Sequence, residues 1–229
     1  DLSGQLRHVK MIRPDIIFHL AAQSYVLTSF NTPVQTIWTN VIGTVNLLEA
    51  VRLSEINPVI HICSSSEVYG QVSEDEVPIT ESCPFRPASP YAVSKVGEDM
   101  VAFQYWVSYK LKTIRTRMFT HTGPRRGDVF AMSFFGKQIA AAELGLKEPI
   151  IHVGNLKSIR TFCDVRDAVK AYWLLVNKCK PGEVYNIGGD ATLTIGEALE
   201  KMLSFSRKKC EVKVDPNLLR PSDVTLQIP

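Results

Sequence analysis

Two short, nearly continuous apolar runs constrain this chain most: residues 15–22 (DIIFHLAA) and 58–63 (PVIHIC). Each is bounded by Pro on one side and small polar residues on the other. That suits a strand buried on both faces, as in a parallel sheet. Residues 112–119 (KTIRTRMF) alternate and read as a third strand. A helical segment over residues 34–52 starts behind Pro33. Its apolar residues (Ile37, Trp38, Val41, Ile42, Val45, Leu47, Leu48, Val51) nearly surround it. An all-round apolar helix is expected to be buried, against the sheet on one side and another subunit on the other. A second helix, residues 91–110, starts at Ser89-Pro90. Strand, helix, strand, helix, strand predicts a doubly wound, Rossmann-like α/β sheet.

Ligands of such sheets sit beyond the carboxyl ends of the strands. Ala21-Ala22-Gln23-Ser24, Ser64–Glu67 and Thr120–Gly123 each follow a predicted strand, so they converge on one sheet edge. Polar residues 71–89 read as a loop, and Pro124–Asp128 as a charged turn. Beyond it, residues 132–144, 164–177 and 194–206 read as helices, the last capped by Thr194. Residues 150–153 and 183–187 read as strands, and residues 215–229, with three prolines, as irregular. The predicted organisation is a partial dinucleotide-binding domain over 1–123 and a smaller α/β substrate lobe over 124–229, with the chain crossing between them.

The chemistry concentrates in Ser64-Ser65-Ser66-Glu67-Val68-Tyr69-Gly70 and Pro90-Tyr91-Ala92-Val93-Ser94-Lys95. On a helix, Tyr91 and Lys95 are separated by ~6 Å of rise and share one face. An ammonium ~6 Å from a phenol supplies roughly 2–3 kcal/mol, or about two pKa units, toward the phenolate. Tyr91 thereby reads as an acid/base acting on an oxygen that Ser65 holds. A carboxylate at Glu67 is useful where a C–H proton must also be removed. The plainer alternatives are an amphipathic helix pair for Tyr91/Lys95 and a solvated or salt-bridged turn residue for Glu67.

A net charge of +3, with basic residues scattered, argues against nucleic acid as a partner. No apolar run approaches the ~20 residues of a membrane span. Five cysteines without a C-x-x-C pair read as free thiols in a reducing, cytoplasmic setting, with no disulfide frame and no metal site.

These residues resemble the extended short-chain dehydrogenase/reductases, specifically the nucleotide-sugar branch and its GDP-mannose 4,6-dehydratases. The matching segments are Asp1-Leu2, His19–Ser24, Asn40–Thr44, Ser65–Gly70, Pro90–Lys95, Gly123–Gly127, Val153–Asn155, Arg160 with Asp167, and Arg220-Pro221. The resemblance implies NADP or NAD as cofactor and a nucleotide sugar as substrate. Asp1 would contact adenine, Ala21 and Ala22 would line the cofactor groove, and Asn40 would brace the active-site helix. Tyr91 and Lys95 would bind the nicotinamide ribose and act at sugar C4. Glu67 would take the C5 proton, Ser65 would hold the C4 oxygen, and Ser66 would lie near the departing C6 hydroxyl. Arg125, Arg160 and Arg220 would meet the diphosphate or base, with Ser24 and Asn155 as further substrate contacts. The two long helices would pair across a two-fold axis into a homodimer or homotetramer.

The chain departs from the family pattern in places. The Gly-rich dinucleotide loop is expected before Asp1, so the Rossmann-like domain reads as N-terminally incomplete. Ser65 stands where Thr is frequent, Thr120 where Asn is usual, and Thr161 where Asp is usual. The competing expectations are a 4-keto-sugar reductase or epimerase using the same Tyr91/Lys95 pair, and a non-catalytic homologue.

Overall fold

The computed structural model describes residues 1–229. Helix α1 (Leu2–Ile12) leads into β1 (Ile16–His19), α2 (Val26–Asn31) and α3 (Pro33–Ile37). A π-type turn over Trp38–Ile42 joins α3 to α4 (Gly43–Leu53). Then come β2 (Val59–Ser65), a 3-10 turn over Ser66–Tyr69, α5 (Pro90–Tyr109), β3 (Lys112–Met118) and β4 (His121–Thr122). The remainder runs α6 (Ala131–Glu143), β5 (Ile150–Val153), β6 (Ile159–Asp164), α7 (Val165–Lys178), β7 (Val184–Ile187) and β8 (Ala191–Thr194). It closes with α8 (Ile195–Ser204), β9 (Glu211–Val214) and β10 (Leu226–Gln227).

The main sheet has the order β1-β2-β3-β7, all parallel. Residues of β2 and β3 alternate between its two faces. Ile60 and Ile62 pack with Val9, Leu48, Val51 and Ala102 of α1, α4 and α5. Ile114 and Met118 pack on the other face with Ala168, Tyr172 and Leu175 of α7. Both faces are covered over β2 and β3, which explains the apolar run of β2; β1, expected to be buried on both faces, is instead the edge strand and only half-buried, with Phe18 38% exposed. A second sheet joins β10, β6 and β4, with β8 antiparallel to β6, and β5 pairs with β9. Strand β7 and helix α7 lie beyond residue 123, yet both belong to the first sheet and its cover.

Several local expectations change. Helix α1 was not foreseen, although Leu2, Leu6 and Val9 carry a helical period and Asp1 caps it, its carboxylate accepting from Gly4 N at 2.7 Å. Helix α2 and strands β6, β8, β9 and β10 were also missed. The predicted 34–52 helix is interrupted by the π-type turn, and within one chain it is not buried all round: Val34 and Trp38 are 79% and 68% exposed. The tail is not wholly irregular, because β10 pairs with β6 at Leu226↔Ile159 and Gln227↔Arg160.

The two arginines of β3 are buried rather than solvent-facing. Asp99 of α5, fully buried, accepts from Arg115 Nη1 at 2.7 Å and Arg117 Nε at 2.9 Å. Arg117 Nη1 also donates to the Tyr69 hydroxyl and the Glu81 carbonyl. One carboxylate thus clamps α5 to two residues of β3 and, through Arg117, to the Ser-rich turn. Asp99→Asn would leave two buried guanidinium groups without a counter-charge. Equilibrium denaturant unfolding is expected to show a loss of about 3–5 kcal/mol.

Candidate active site

Parallel register brings the functional segments together. Ser65 at the end of β2 pairs with Met118, and Met118 pairs with Ile187. The chain leaves β2 in a 3-10 turn capped by Ser65, whose hydroxyl accepts from Glu67 N at 3.2 Å. Gly70 ends that turn at φ 63, and a Cβ there would sit 1.8 Å from the Arg86 carbonyl oxygen, so glycine is required. Ser89 caps α5 by accepting from Ala92 N at 3.0 Å, with Pro90 at the first helical position. The start of α5 therefore stands beside the end of β2.

A cavity of about 590 Å³ opens there. Ser65, Ser66, Glu67, Tyr91 and Lys95 line it, together with Ala22, Ser24, Asn155, Arg160 and Arg220. Asp1 and Ala21 lie outside the lining, Asp1 as the exposed cap of α1. Arg125 also departs from expectation. It takes a left-handed backbone conformation (φ 70), is exposed, and does not line the cavity. Its neighbour Arg126 does, with its guanidinium 4.2 Å from the Phe130 ring centroid and bonded to the His121 carbonyl. The sequence expectation named Arg125 alone; with Arg125 in a left-handed turn, Arg126 lines the cavity in its place.

Lys95 is seated from three sides. Its Nζ donates to the Cys63 carbonyl at 2.8 Å and to Glu98 Oε2 and Oε1 at 2.9 and 3.1 Å. Burial disfavours this ammonium, but Tyr91, Glu98 and Cys63 outweigh it and hold its pKa above the usual lysine value. Lys95 Nζ lies 5.9 Å from the Tyr91 ring centroid, close to the expected spacing. The expected consequence for Tyr91 does not follow. Burial pushes its phenol above the ordinary value, and the opposing pulls of Lys95 and the Ser65 hydroxyl do not cancel that. Desolvation of the buried phenol disfavours its phenolate more than the nearby ammonium favours it.

Asn40, in the π-type turn, braces the helix as anticipated. Its Nδ2 donates to Ser94 Oγ at 2.8 Å and to the Gln23 carbonyl at 3.0 Å, and its Oδ1 accepts from Gln23 N at 2.7 Å. Glu67 meets Arg220 Nη1 at 3.5 Å, so the salt-bridged reading of Glu67 also describes it. Arg160 is buried and donates only to the Ile159 and Val224 carbonyls. Burial depresses its pKa, with Glu67 opposing. Asn155 Nδ2 is engaged by Asp223 at 2.5 Å. Four cationic side chains (Lys95, Arg126, Arg160, Arg220) and two carboxylates (Glu67, Asp223) line the cavity, a balance that favours an anionic ligand.

Gln227 escaped the sequence reading because the tail carried no periodicity. It lines the cavity, accepts from Ser66 Oγ at 3.1 Å, and keeps a buried Nε2 without a partner. Thr161 Oγ1 is likewise buried and unpartnered.

A parallel sheet with Ser65 at its carboxyl edge, and Tyr91 and Lys95 on the adjoining helix α5, over a cationic cavity, defines an extended short-chain dehydrogenase/reductase acting on nucleotide sugars. The whole chain, residues 1–229, matches the sequence profile described as "GDP-mannose 4,6 dehydratase", and the protein belongs to that family. It is 33% identical over 210 residues to the GDP-6-deoxy-D-mannose reductase of Pseudomonas aeruginosa, covering 92% of this chain and 69% of the relative. It is 32% identical over 255 residues to the GDP-mannose 4,6-dehydratase of Yersinia enterocolitica, covering 98% of this chain and 68% of the relative. It superposes with a TM-score of 0.84 on the dTDP-glucose 4,6-dehydratase DesIV of Streptomyces venezuelae, solved with NAD and TYD bound. That match has 27% identity and covers 100% of this chain and 67% of the other.

Two histidines, His61 fully buried and His19 half-buried, give the fold a pH signature. Burial and then the Lys95 charge lower the pKa of His19 to about 4; burial and then His19 lower that of His61 to about 4. The unfolded chain takes up protons there that the folded chain refuses, so stability falls as pH drops from 6.5 toward 4. Glu98, its carboxyl raised to about 7 by burial against the pull of Lys95, opposes part of that loss. His61→Gln is expected to remove up to about 1.4 kcal/mol per pH unit from the slope, read by denaturant unfolding across that window.

Proposed function

We propose that this protein is an NAD(P)-dependent nucleotide-sugar 4,6-dehydratase converting GDP-mannose to GDP-4-keto-6-deoxymannose. The observation that carries the reading is the convergence of Ser65, Glu67, Tyr91 and Lys95 on one cavity that also holds Arg160 and Arg220. The residues present fit a nicotinamide cofactor. Ala22 leaves room on the lining, while a phenol and a buried ammonium stand close enough to meet ribose hydroxyls. When bound, that cofactor supplies acceptance and return of a hydride.

The chain's own residues supply the rest. Ser65 holds the sugar C4 oxygen, and Tyr91 moves the proton at that oxygen. A ketone at C4 acidifies the C5 proton, which Glu67 takes. Glu67 hands that proton to the C6 hydroxyl, which lies near Ser66 with Gln227 behind it and leaves as water. Arg160 and Arg220 hold the diphosphate. Asp1 and Ala21 would belong to the adenine side of the cofactor groove, and Ser24 and Asn155 to the substrate side. In this reading residues 124–229 form most of the substrate lobe, and β7 and α7 return to the dinucleotide side.

Incubation of the full-length protein with GDP-mannose is expected to yield a 4-keto-6-deoxy product without net consumption of cofactor. Glu67→Gln should lower that rate by about 10²–10⁴-fold. The second reading is a 4-keto-sugar reductase, favoured by the 33% identity to a GDP-6-deoxy-D-mannose reductase and by the engagement of Glu67 with Arg220. Stoichiometric oxidation of NAD(P)H by a 4-keto sugar, undiminished in Glu67→Gln, would establish it instead.

No helix is long and apolar enough to cross a membrane. The five cysteines are unpaired, which accords with a cytoplasmic location. Val93, Met100, Phe103 and Val107 of α5 are exposed, as is Trp38 of the turn that packs against α5. They support a helix-paired homodimer or a tetramer built from it. Met100→Glu with Phe103→Glu should then yield monomers in sedimentation velocity.

A further inference from the structure

The seat of Lys95 contains a residue that the reaction does not require. An ammonium has three donors. Here one meets the Cys63 carbonyl and the other two face the carboxylate of Glu98. Glu98 is fully buried, one helical turn beyond Lys95, and its only salt-bridge partner is that ammonium. The adjacent acid, Asp99, is turned the other way onto Arg115 and Arg117. Lys95 therefore has no uncommitted donor while Glu98 is ionised, and the charge it presents to Tyr91 is offset in part by its own neighbour.

We propose that Glu98 is a positioning residue that clamps Lys95 and governs how much of its charge reaches Tyr91, releasing donors to a vicinal diol only as the carboxylate takes up a proton. The role for the diol rests on the functional reading above; the clamp on Lys95 does not. The groups around the pair are Tyr91 on α5, Cys63 on β2, His19 on β1, and Asp99 with Arg115 and Arg117. His19 is held neutral through most of the acid range, and Asp99 is neutralised by its two guanidinium partners. Glu98 is thus the group here whose charge changes near neutral pH, its carboxyl raised to about 7 by burial against Lys95.

The sign for Tyr91 follows directly. An ionised Glu98 raises the phenol's pKa, and Lys95 lowers it. Removing the Glu98 charge leaves Lys95 unopposed, so Tyr91 ionises at lower pH. The test is tyrosinate absorbance against pH on the purified full-length protein without substrate or cofactor, with the Tyr91→Phe titration subtracted. Glu98→Gln is expected to shift the Tyr91 midpoint down. Glu98→Asp, which keeps the charge, should stay nearer the parent value. An unchanged midpoint in a folded Glu98→Gln protein overturns the proposal, since a merely structural residue would alter unfolding but not this titration.

Should Glu98→Gln fail to fold, the parent protein still decides the matter. The ¹⁵N resonance of Lys95 Nζ, assigned by its loss in Lys95→Met, should titrate with an inflection near the Glu98 value of about 7. A resonance flat through that range overturns the clamp. Neither readout involves turnover, so failure here and failure of the dehydratase assignment are separable.

Discussion

The site hangs on a reciprocal latch between β2 and α5. Lys95 Nζ donates to the carbonyl of Cys63, and the Ser64 hydroxyl donates to the carbonyl of Lys95 at 3.0 Å. Side chain meets backbone in both directions, between segments about thirty residues apart in sequence. Because Ser65 is the next residue on β2 and Tyr91 lies one turn back on α5, the latch sets the distance between hydroxyl and phenol. Asn40 supports it from the π-type turn through Ser94, and Asp99 supports it from below through Arg115 and Arg117. Buried charge-assisted bonds of this kind add positional specificity more than stability, since desolvation offsets much of their attraction.

That desolvation shapes the chemistry as well. Tyr91, Lys95 and Glu98 are all buried, and Arg160 is buried without a carboxylate partner. The Arg160 guanidinium carries a cost in the folded chain that an anionic ligand would relieve. A cavity with four cations against two carboxylates is poised for a phosphate-bearing molecule. The contact between Arg220 and Glu67 ties that cationic wall to the residue placed to remove a proton. Substrate anchoring and acid–base chemistry therefore share one electrostatic environment.

Much of the architecture was legible in the sequence. The apolar runs at β1 and β2 and the Ser89-Pro90 start of α5 reflect local rules of burial and capping. The spacing of Tyr91 and Lys95 placed both on one face, and the measured separation of 5.9 Å agrees. Short second-lobe strands were not legible. Strands β8 and β10, four and two residues long, are too short for their pattern to signal a strand and exist because β6 offers them partners. Arg126 rather than Arg125 enters the cavity because one left-handed residue reverses the chain, and nothing in a repeated arginine foretells that.

The sequence alone determined the class of sheet, the residues of the Ser65/Tyr91/Lys95 set and their shared edge, because each depends on periodicity and strand–helix order. Tertiary structure alone decided how those groups are charged and held. The upward shift of Tyr91, the clamping of Lys95 by Glu98, the orphaned Nε2 of Gln227 and the Glu67–Arg220 contact all depend on burial and on partners remote in sequence. Desolvation is a property of the packed interior, so identical residues carry different chemistry until the fold determines what surrounds them.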